Sequence, residues 1–278
     1  MEKLISSFDS FGDLLRQAQK PAVWRGYKAS IKTDDSWTGT RTFEEAMNLA
    51  TYGWPEGRKK LLDNLQIAAK KQVSRTHAKN YDVGGMYPDV PMYCAGEPAY
   101  MVTQENEIRH SKPIVRLLLQ KFVSAMVSSE NIMNQGAAIL SCVDSLENDG
   151  HSCEIEMVLS GAWTRMSGTK QEIRWIAKRA GEPLELDRMA FQLIQPAMFR
   201  RILFRINEQN PKAERGNGSY WIPTNSPEVE PGQIYFEQPS GSEYRTIEHA
   251  ISHVTQRLQT SGVEIVDPLK YLADKEFA

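Results

Sequence analysis

His249-Ala250-Ile251-Ser252-His253 sets two imidazoles four residues apart, on one face of any helix that carries them. A zinc hydrolase with that spacing needs His-Glu-x-x-His, the glutamate serving as general base. Position 250 is alanine and Glu248 lies on the wrong side of His249, so the pair reads as part of a solvated helix face. Gly216-Asn217-Gly218-Ser219 has the composition of a phosphate cradle. It lacks the Lys-Ser/Thr ending of a P-loop and the strand-then-helix setting, and reads as a loop. Cys94 lies in a Gly/Pro-rich turn, with His110 as the nearest histidine. A Cys–His nucleophile needs spatial pairing, and the alternative is a half-buried free thiol. Asp144, Glu147, Asp149, Glu154 and Glu156 read as a solvated helix end and strand rather than paired catalytic carboxylates. No catalytic constellation is complete by type and spacing. The chain is therefore read as a non-enzyme without metal or cofactor, and a hydrolase ranks third among its readings.

Cations offer different chemistry. One basic region is the stretch Arg58–Lys79, with Arg58, Lys59, Lys60, Lys70 and Lys71. A second combines Arg165, Lys170, Arg174, Lys178 and Arg179 with Trp163 and Trp175. Cations interleaved with aromatics suit single-stranded nucleic acid, because phosphates meet the charges while bases stack on the rings. Arg58, Lys59, Lys60, Lys70, Lys71, Arg174 and Lys178 are the candidate phosphate contacts, and Trp163 and Trp175 the candidate stacking rings. The competing reading is a solvated amphipathic helix and an edge strand defended by charge. The net charge of −2 provides no global field toward nucleic acid or anionic membrane.

These side chains need elements to hold them. A short helix is expected over Phe8–Ala18, capped by Asp9 or Ser10 and ended by Pro21. Thr42-Phe43-Glu44-Glu45 matches a capping box, with Phe43, Ala46, Met47 and Ala50 on one helical face. Gly53 closes that helix, and Pro55 opens a basic one expected to reach about Lys79. Tyr81–Met101 is rich in Gly and Pro and is the expected domain boundary. Pro113–Leu119 reads as a buried parallel strand. A Ser-rich loop (Ser124, Ser128, Ser129) follows it. Ile132, Ile139, Val143 and Leu146 then recur at helical spacing, with a stop at Asn148-Asp149-Gly150. Cys153–Leu159 is the next strand, and Gln171–Ala177 reads as an edge strand with a polar face. Leu186–Asn207 reads as a helix broken at Pro196, Gln233–Glu237 as a strand, Thr246–Thr260 as a helix and Val263–Val266 as a last strand. This alternation implies a mainly parallel sheet covered by helices on both faces.

The chain has 278 residues, room for one large domain or a domain with an appendage. No apolar run approaches the ~20 residues of a membrane span, and the first residues lack a secretory core. Three cysteines, Cys94, Cys142 and Cys153, fit free thiols in a reducing cytosol.

Residues Lys112–Leu159 resemble the strand–loop–helix–strand opening of a von Willebrand factor type A domain. In that family the first strand ends in Asp-x-Ser-x-Ser, whose oxygens hold a metal. The nearest positions here are Lys121, Val123 and Ala125, which do not suit a hard cation. Trp37-x-Gly39, Thr42-Phe43-x-Glu45-Ala46 and Gly53-Trp54-x-Glu56-Gly57 are similar to the opening of an uncharacterised family of phage-encoded proteins. Gly84-Gly85…Pro88-Asp89-Val90-Pro91, Ala95-Gly96-x-Pro98 and Arg200-Arg201 extend that resemblance. It implies a viral origin and action inside an infected bacterium.

The resulting expectation is an α/β protein, with a helical segment over residues 1–80 and a type-A- or Rossmann-like domain over 81–278 whose metal site is lost. Its expected role is that of a non-enzymatic accessory factor in phage transcription or replication. It would act in the host cytoplasm, away from membranes, on single-stranded DNA and a phage protein such as an RNA polymerase or a replication protein. The alternative is a protein–protein interaction module that uses the Ser124–Ser129 loop as its contact surface.

Overall fold

The structure, a computed structural model, describes residues 2–23, 35–65, 78–106, 113–121, 127–162, 169–209, 222–224 and 227–265. The chain divides into two compact units, Met1–Lys70 with Pro113–Ala278, and Lys71–Lys112. This differs from the division expected at residue 80. Phe11, Leu14, Phe43, Met47 and Leu61 join the same core as the later α/β elements, and the Gly/Pro-rich stretch belongs to an inserted unit.

Strand β1 (Glu2–Phe8) and helices α1 (Phe11–Ala18), α2 (Asp35–Thr38), α3 (Phe43–Tyr52) and α4 (Pro55–Leu65) come first. The inserted unit holds β2 (Ala78–Asp82), β3 (Tyr87–Pro88), α5 (Val90–Cys94) and β4 (Met101–Asn106). Then come β5 (Ile114–Gln120), α6 (Ser129–Asn148), β6 (Ser152–Ala162), β7 (Thr169–Lys178) and α7 (Leu186–Ile194). A π-helical turn (Met198–Leu203), α8 (Phe204–Glu208), β8 (Ile222–Pro223), β9 (Gln233–Phe236) and α9 (Ile247–Thr260) complete the described chain.

The first unit is built on a mixed sheet of mostly parallel strands in the order β1-β7-β6-β5-β9, with β8 on β6. β1 runs parallel to β7, and β5 runs parallel to both β6 and β9. β7 and β8 are antiparallel to β6. Parallel neighbours need a crossover, which α6 supplies between β5 and β6. β7 is not the edge strand its polar pattern implied, because β1 pairs along its outer side from Glu2↔Thr169 to Phe8↔Trp175. Glu2, Lys3, Ser6 and Ser7 break any apolar run in β1, so that strand leaves no signal of its own.

Alternation sorts the sheet's two faces. Val115, Leu117 and Leu119 of β5, Ile155, Met157 and Leu159 of β6, and Ile173 and Trp175 of β7 join one buried cluster. Helices α1, α3, α4, α6, α7 and α9 all put their apolar sides into that cluster. Each fully buried Leu or Ile there contributes roughly 1.5–3 kcal/mol. Among the described residues the opposite face is not covered by a helix, contrary to expectation. It buries Leu118 and Val158 beside the polar Gln120, Ser160, Glu172 and Arg174. Arg174 pairs with Glu172 at 3.0 Å and Glu156 at 3.3 Å and donates to the Glu228 carbonyl. Gln120 Nε2 donates to the Thr224 carbonyl at 2.9 Å. The Thr224 and Glu228 carbonyls thus satisfy polar groups on this face.

Helix starts follow local chemistry. Ser10, Thr42, Ser128 and Thr246 each accept from the amide three residues on, at the starts of α1, α3, α6 and α9. Two expectations fail. The basic helix is described only to Leu65, and Lys79 stands in strand β2 rather than in a helix. Val263–Ile265 is irregular rather than a strand, and Val266 lies outside the described residues. No helix of the described residues is long and apolar enough to cross a membrane.

The second unit is an antiparallel sheet in the order β2-β4-β3. Tyr81, Val102 and Tyr87 form a row across it, and Val102 is fully buried. Gly85 crosses so close to β4 that a Cβ would stand 2.5 Å from the Val102 carbonyl oxygen.

Candidate nucleic-acid interface

β7 holds three of the candidate contacts, and the structure withdraws all three from nucleic acid. Trp175 is fully buried, and its Nε1 donates to Gln192 Oε1 of α7 at 2.9 Å. Its ring cannot stack on a base in this fold. Arg174 is spent on Glu172 and Glu156. Lys178 donates to Glu147 at 2.5 Å and to the Cys153 carbonyl at 3.0 Å, with its side chain 2% exposed. The error has one physical source: β7 lies inside the sheet, so one face is core and the other is a buried ion-pair layer. Trp163, Lys70 and Lys71 lie outside the described residues.

α4 presents a different picture. Pro55 begins the helix, and buried Leu61 anchors it to the core. Arg58, Lys59 and Lys60 are exposed. Trp54, half-buried at the helix entry, donates its backbone amide to the Asp187 carbonyl at 3.1 Å. Lys60 Nζ lies 5.5 Å from the centre of the Trp54 ring, and Arg58 approaches Asp187 at 3.6 Å. Tyr52, at the end of α3, is 83% exposed. An aromatic–cation contact, Lys60 over Trp54, therefore stands at the α3–α4 corner rather than on β7. The reading of the tryptophans on and before β7 missed Trp54 and Tyr52. Their signal was the Gly53-Trp54-x-x-Gly57 spacing, since a Cβ on Gly57 would overlap the Trp54 ring at 2.0 Å.

The carboxyl ends of the parallel strands β5, β6 and β9 lie at one end of the sheet. Lys121 follows β5 there. Its ammonium donates to the Leu193 carbonyl in the last turn of α7 at 2.6 Å, and burial lowers its pKa to about 8. Val123, Ser124 and Ala125 lie outside the described residues. Asn131, Asn134 and Gln135 of α6 donate to the carbonyls of Pro239, Tyr244 and Glu237. These bonds tie down the loop after β9.

The other chemical candidates remain scattered. His249 is exposed, while His253 packs edge-on against Tyr244 at 5.3 Å. Cys94 is exposed, whereas His110 and Gly216–Ser219 lie outside the described residues. Among the described residues no group of three or more His, Cys, Asp or Glu side chains could hold a metal ion.

The recurrent motif residues have packing roles. Arg201 is fully buried and donates to Thr38 Oγ1 and to the carbonyls of Thr40 and Arg41, at 3.2, 2.9 and 3.0 Å. Arg205 lies 4.6 Å from the Phe43 ring centre. Gly39 has φ +76°, and a Cβ there would meet Gln195 Oε1 at 2.2 Å. Gly39, Phe43 and Arg201 therefore mark where the α2–α3 segment packs on the π-helical turn and α8. No curated protein and no solved structure matches this chain. One family model does match, over residues 2–265, and the chain belongs to that family, described as Domain of unknown function (DUF7192).

Proposed function

We propose that this chain is a non-enzymatic phage accessory factor in viral transcription or replication, acting in the host cytoplasm. It contacts single-stranded DNA at the α3–α4 corner and a phage protein, an RNA polymerase or replication protein, elsewhere. The observation that carries the reading is the Lys60–Trp54 contact on a helix that also exposes Arg58 and Lys59, with exposed Tyr52 three residues before Pro55. Phosphates meet such cations while bases stack on such rings. The phage assignment rests on the motif resemblance given above. In the same reading the core is a degenerate type-A-like sheet, with the Lys121 ammonium standing where a metal ligand would be.

Fluorescence anisotropy with labelled single- and double-stranded oligonucleotides across a salt series tests this. Each phosphate contact contributes a slope of about −0.7 in log affinity against log salt for single strands. Replacing Arg58, Lys59 and Lys60 by Gln should flatten the slope by roughly two. Tyr52→Ala should lower affinity by ~1 kcal/mol or more if the ring stacks. Its 83% exposure means the loss would not reflect unfolding. No binding at low salt from the folded protein would reject the nucleic-acid role and leave a protein–protein module.

A further inference from the structure

Residues 179–185 join β7 to α7, and the connection is held in place. The Glu182 amide donates to the Arg179 carbonyl at 3.2 Å, and the Arg179 amide to Glu182 Oε2 at 3.1 Å. Gly181 turns the chain with φ +80°, where a side chain would be strained. Arg179 Nη2 donates to the Asp9 carbonyl, just ahead of α1, at 2.7 Å. Where β7, this connection, α7 and the start of α1 meet, they enclose a cavity of about 330 Å³. That volume is at the lower end of the range for small-molecule sites.

Its buried lining is mostly apolar. Phe11 and Met189 are both buried and line it together with Ala177. Lys178 brings its stem rather than a free charge. The three donors of its ammonium go to Glu147, the Cys153 carbonyl and the Arg179 carbonyl. Gln192 is the buried polar group with capacity left. Its Oε1 accepts from Trp175 Nε1 at 2.9 Å, whereas Nε2 makes two long contacts, 3.4 Å to the Arg188 carbonyl and 3.9 Å to Met189 Sδ. That amide can donate to a ligand without giving up a strong bond.

Charge selects the occupant. Arg188 and Glu185 both line the cavity and pair with each other at 3.2 Å, so their charges offset. Glu182 lines it too, is exposed, and is engaged by no ion pair among the described residues. The uncompensated charge of the cavity is therefore a carboxylate beside an apolar lining. Such a site repels anions and suits a cation with an apolar body. We propose that this cavity binds a small organic amine, its aromatic or aliphatic body against Phe11 and Met189 and its ammonium at Glu182. An acceptor atom on that body would be met by Gln192 Nε2. The inference goes beyond the nucleic-acid reading of α4 and does not depend on it.

The test titrates phenethylamine into the full chain, with phenylacetate as an anion of similar shape. Nitrogen–proton correlation spectra follow the assigned Trp175 indole N–H, which reports on the cavity through Gln192. Phenethylamine should shift that signal saturably, with a midpoint below about 10 mM for a ligand of its size. Phenylacetate should leave the signal in place. Glu182→Gln should weaken amine binding about threefold, the effect of losing an exposed ion pair. Ala177→Leu, which fills the cavity from β7, should abolish the shift. Glu182 is exposed, so its variant keeps the test decisive should Ala177→Leu fail to fold. An indole signal unmoved by the amine, equal binding of phenylacetate, or an amine affinity unchanged in Glu182→Gln would overturn the proposal. So would a shift that persists in folded Ala177→Leu.

Discussion

Lys121 illustrates how far a single residue can stand from its preferred surroundings. Its ammonium is buried with the Leu193 carbonyl as its hydrogen-bond acceptor, and burial brings its pKa from 10.5 to about 8. The unfolded chain holds the proton up to about pH 10.5, while the folded one releases it near 8. In that window the unfolded state binds more protons, so stability should rise with pH. The whole rise amounts to roughly 3 kcal/mol. Urea denaturation from pH 7 to 10.5 should show wild type gaining on Lys121→Met, and parallel curves would mean the ammonium is solvated. Cys153 shows the opposite sign on an acid: burial first, then the Glu147 charge, push its thiol up to about 12. That thiol stays protonated and unreactive at neutral pH.

At the scale of elements, the α3–α4 corner joins the helix caps to the proposed interface. Thr42 Oγ1 accepts from the Glu45 amide at 3.1 Å, and Glu45 reaches back to the Arg41 amide at 2.8 Å. Thr42→Ala should cost ~1 kcal/mol, the usual worth of an N-cap. Gly53 has φ +94°, and a Cβ there would lie 2.7 Å from Asp187 Cβ. Gly53→Val adds β-branched strain to that clash and should cost more than the cap, on the order of 2 kcal/mol or above. Thermal or denaturant melts of the two variants provide the comparison; equal effects would remove the special role of Gly53. Because Trp54 docks on Asp187, the Gly53 variant should also weaken oligonucleotide binding, which Thr42→Ala should leave nearly unchanged.

For the whole molecule, the two units differ in how much they bury. The first carries an apolar cluster spanning four strands and seven α-helices, plus a buried Glu172–Arg174–Glu156 layer on the other face. The second buries Val102 among its described residues. Local opening free energy follows buried contact, so amides of residues 78–106 should exchange much faster than those of β5, β6 and β7. Native-state hydrogen exchange measures this directly. Uniform protection across both units would show that the inserted sheet gains cover from elsewhere.

Sequence alone determined the local devices. Ser and Thr caps, Pro55 at a helix start, the leucine run of β5 and the 3.6-residue period of α6 and α9 each act through neighbours in the chain. Their elements start within a few residues of expectation. Tertiary structure decided everything that depends on a distant partner. β1 exists because β7 offers it an open edge, and the same pairing turns β7 from edge to interior. Glu172 and Arg174 looked like solvent-facing charges because a sequence pattern does not distinguish a solvated polar face from a neutralised buried one. Trp175 passed as a stacking ring because burial is a property of what packs against it, here α7. The Trp54–Lys60 contact was half legible: the glycine spacing was visible, but its meaning needed the close approach of Gly57 to the indole and the docking of Trp54 on Asp187.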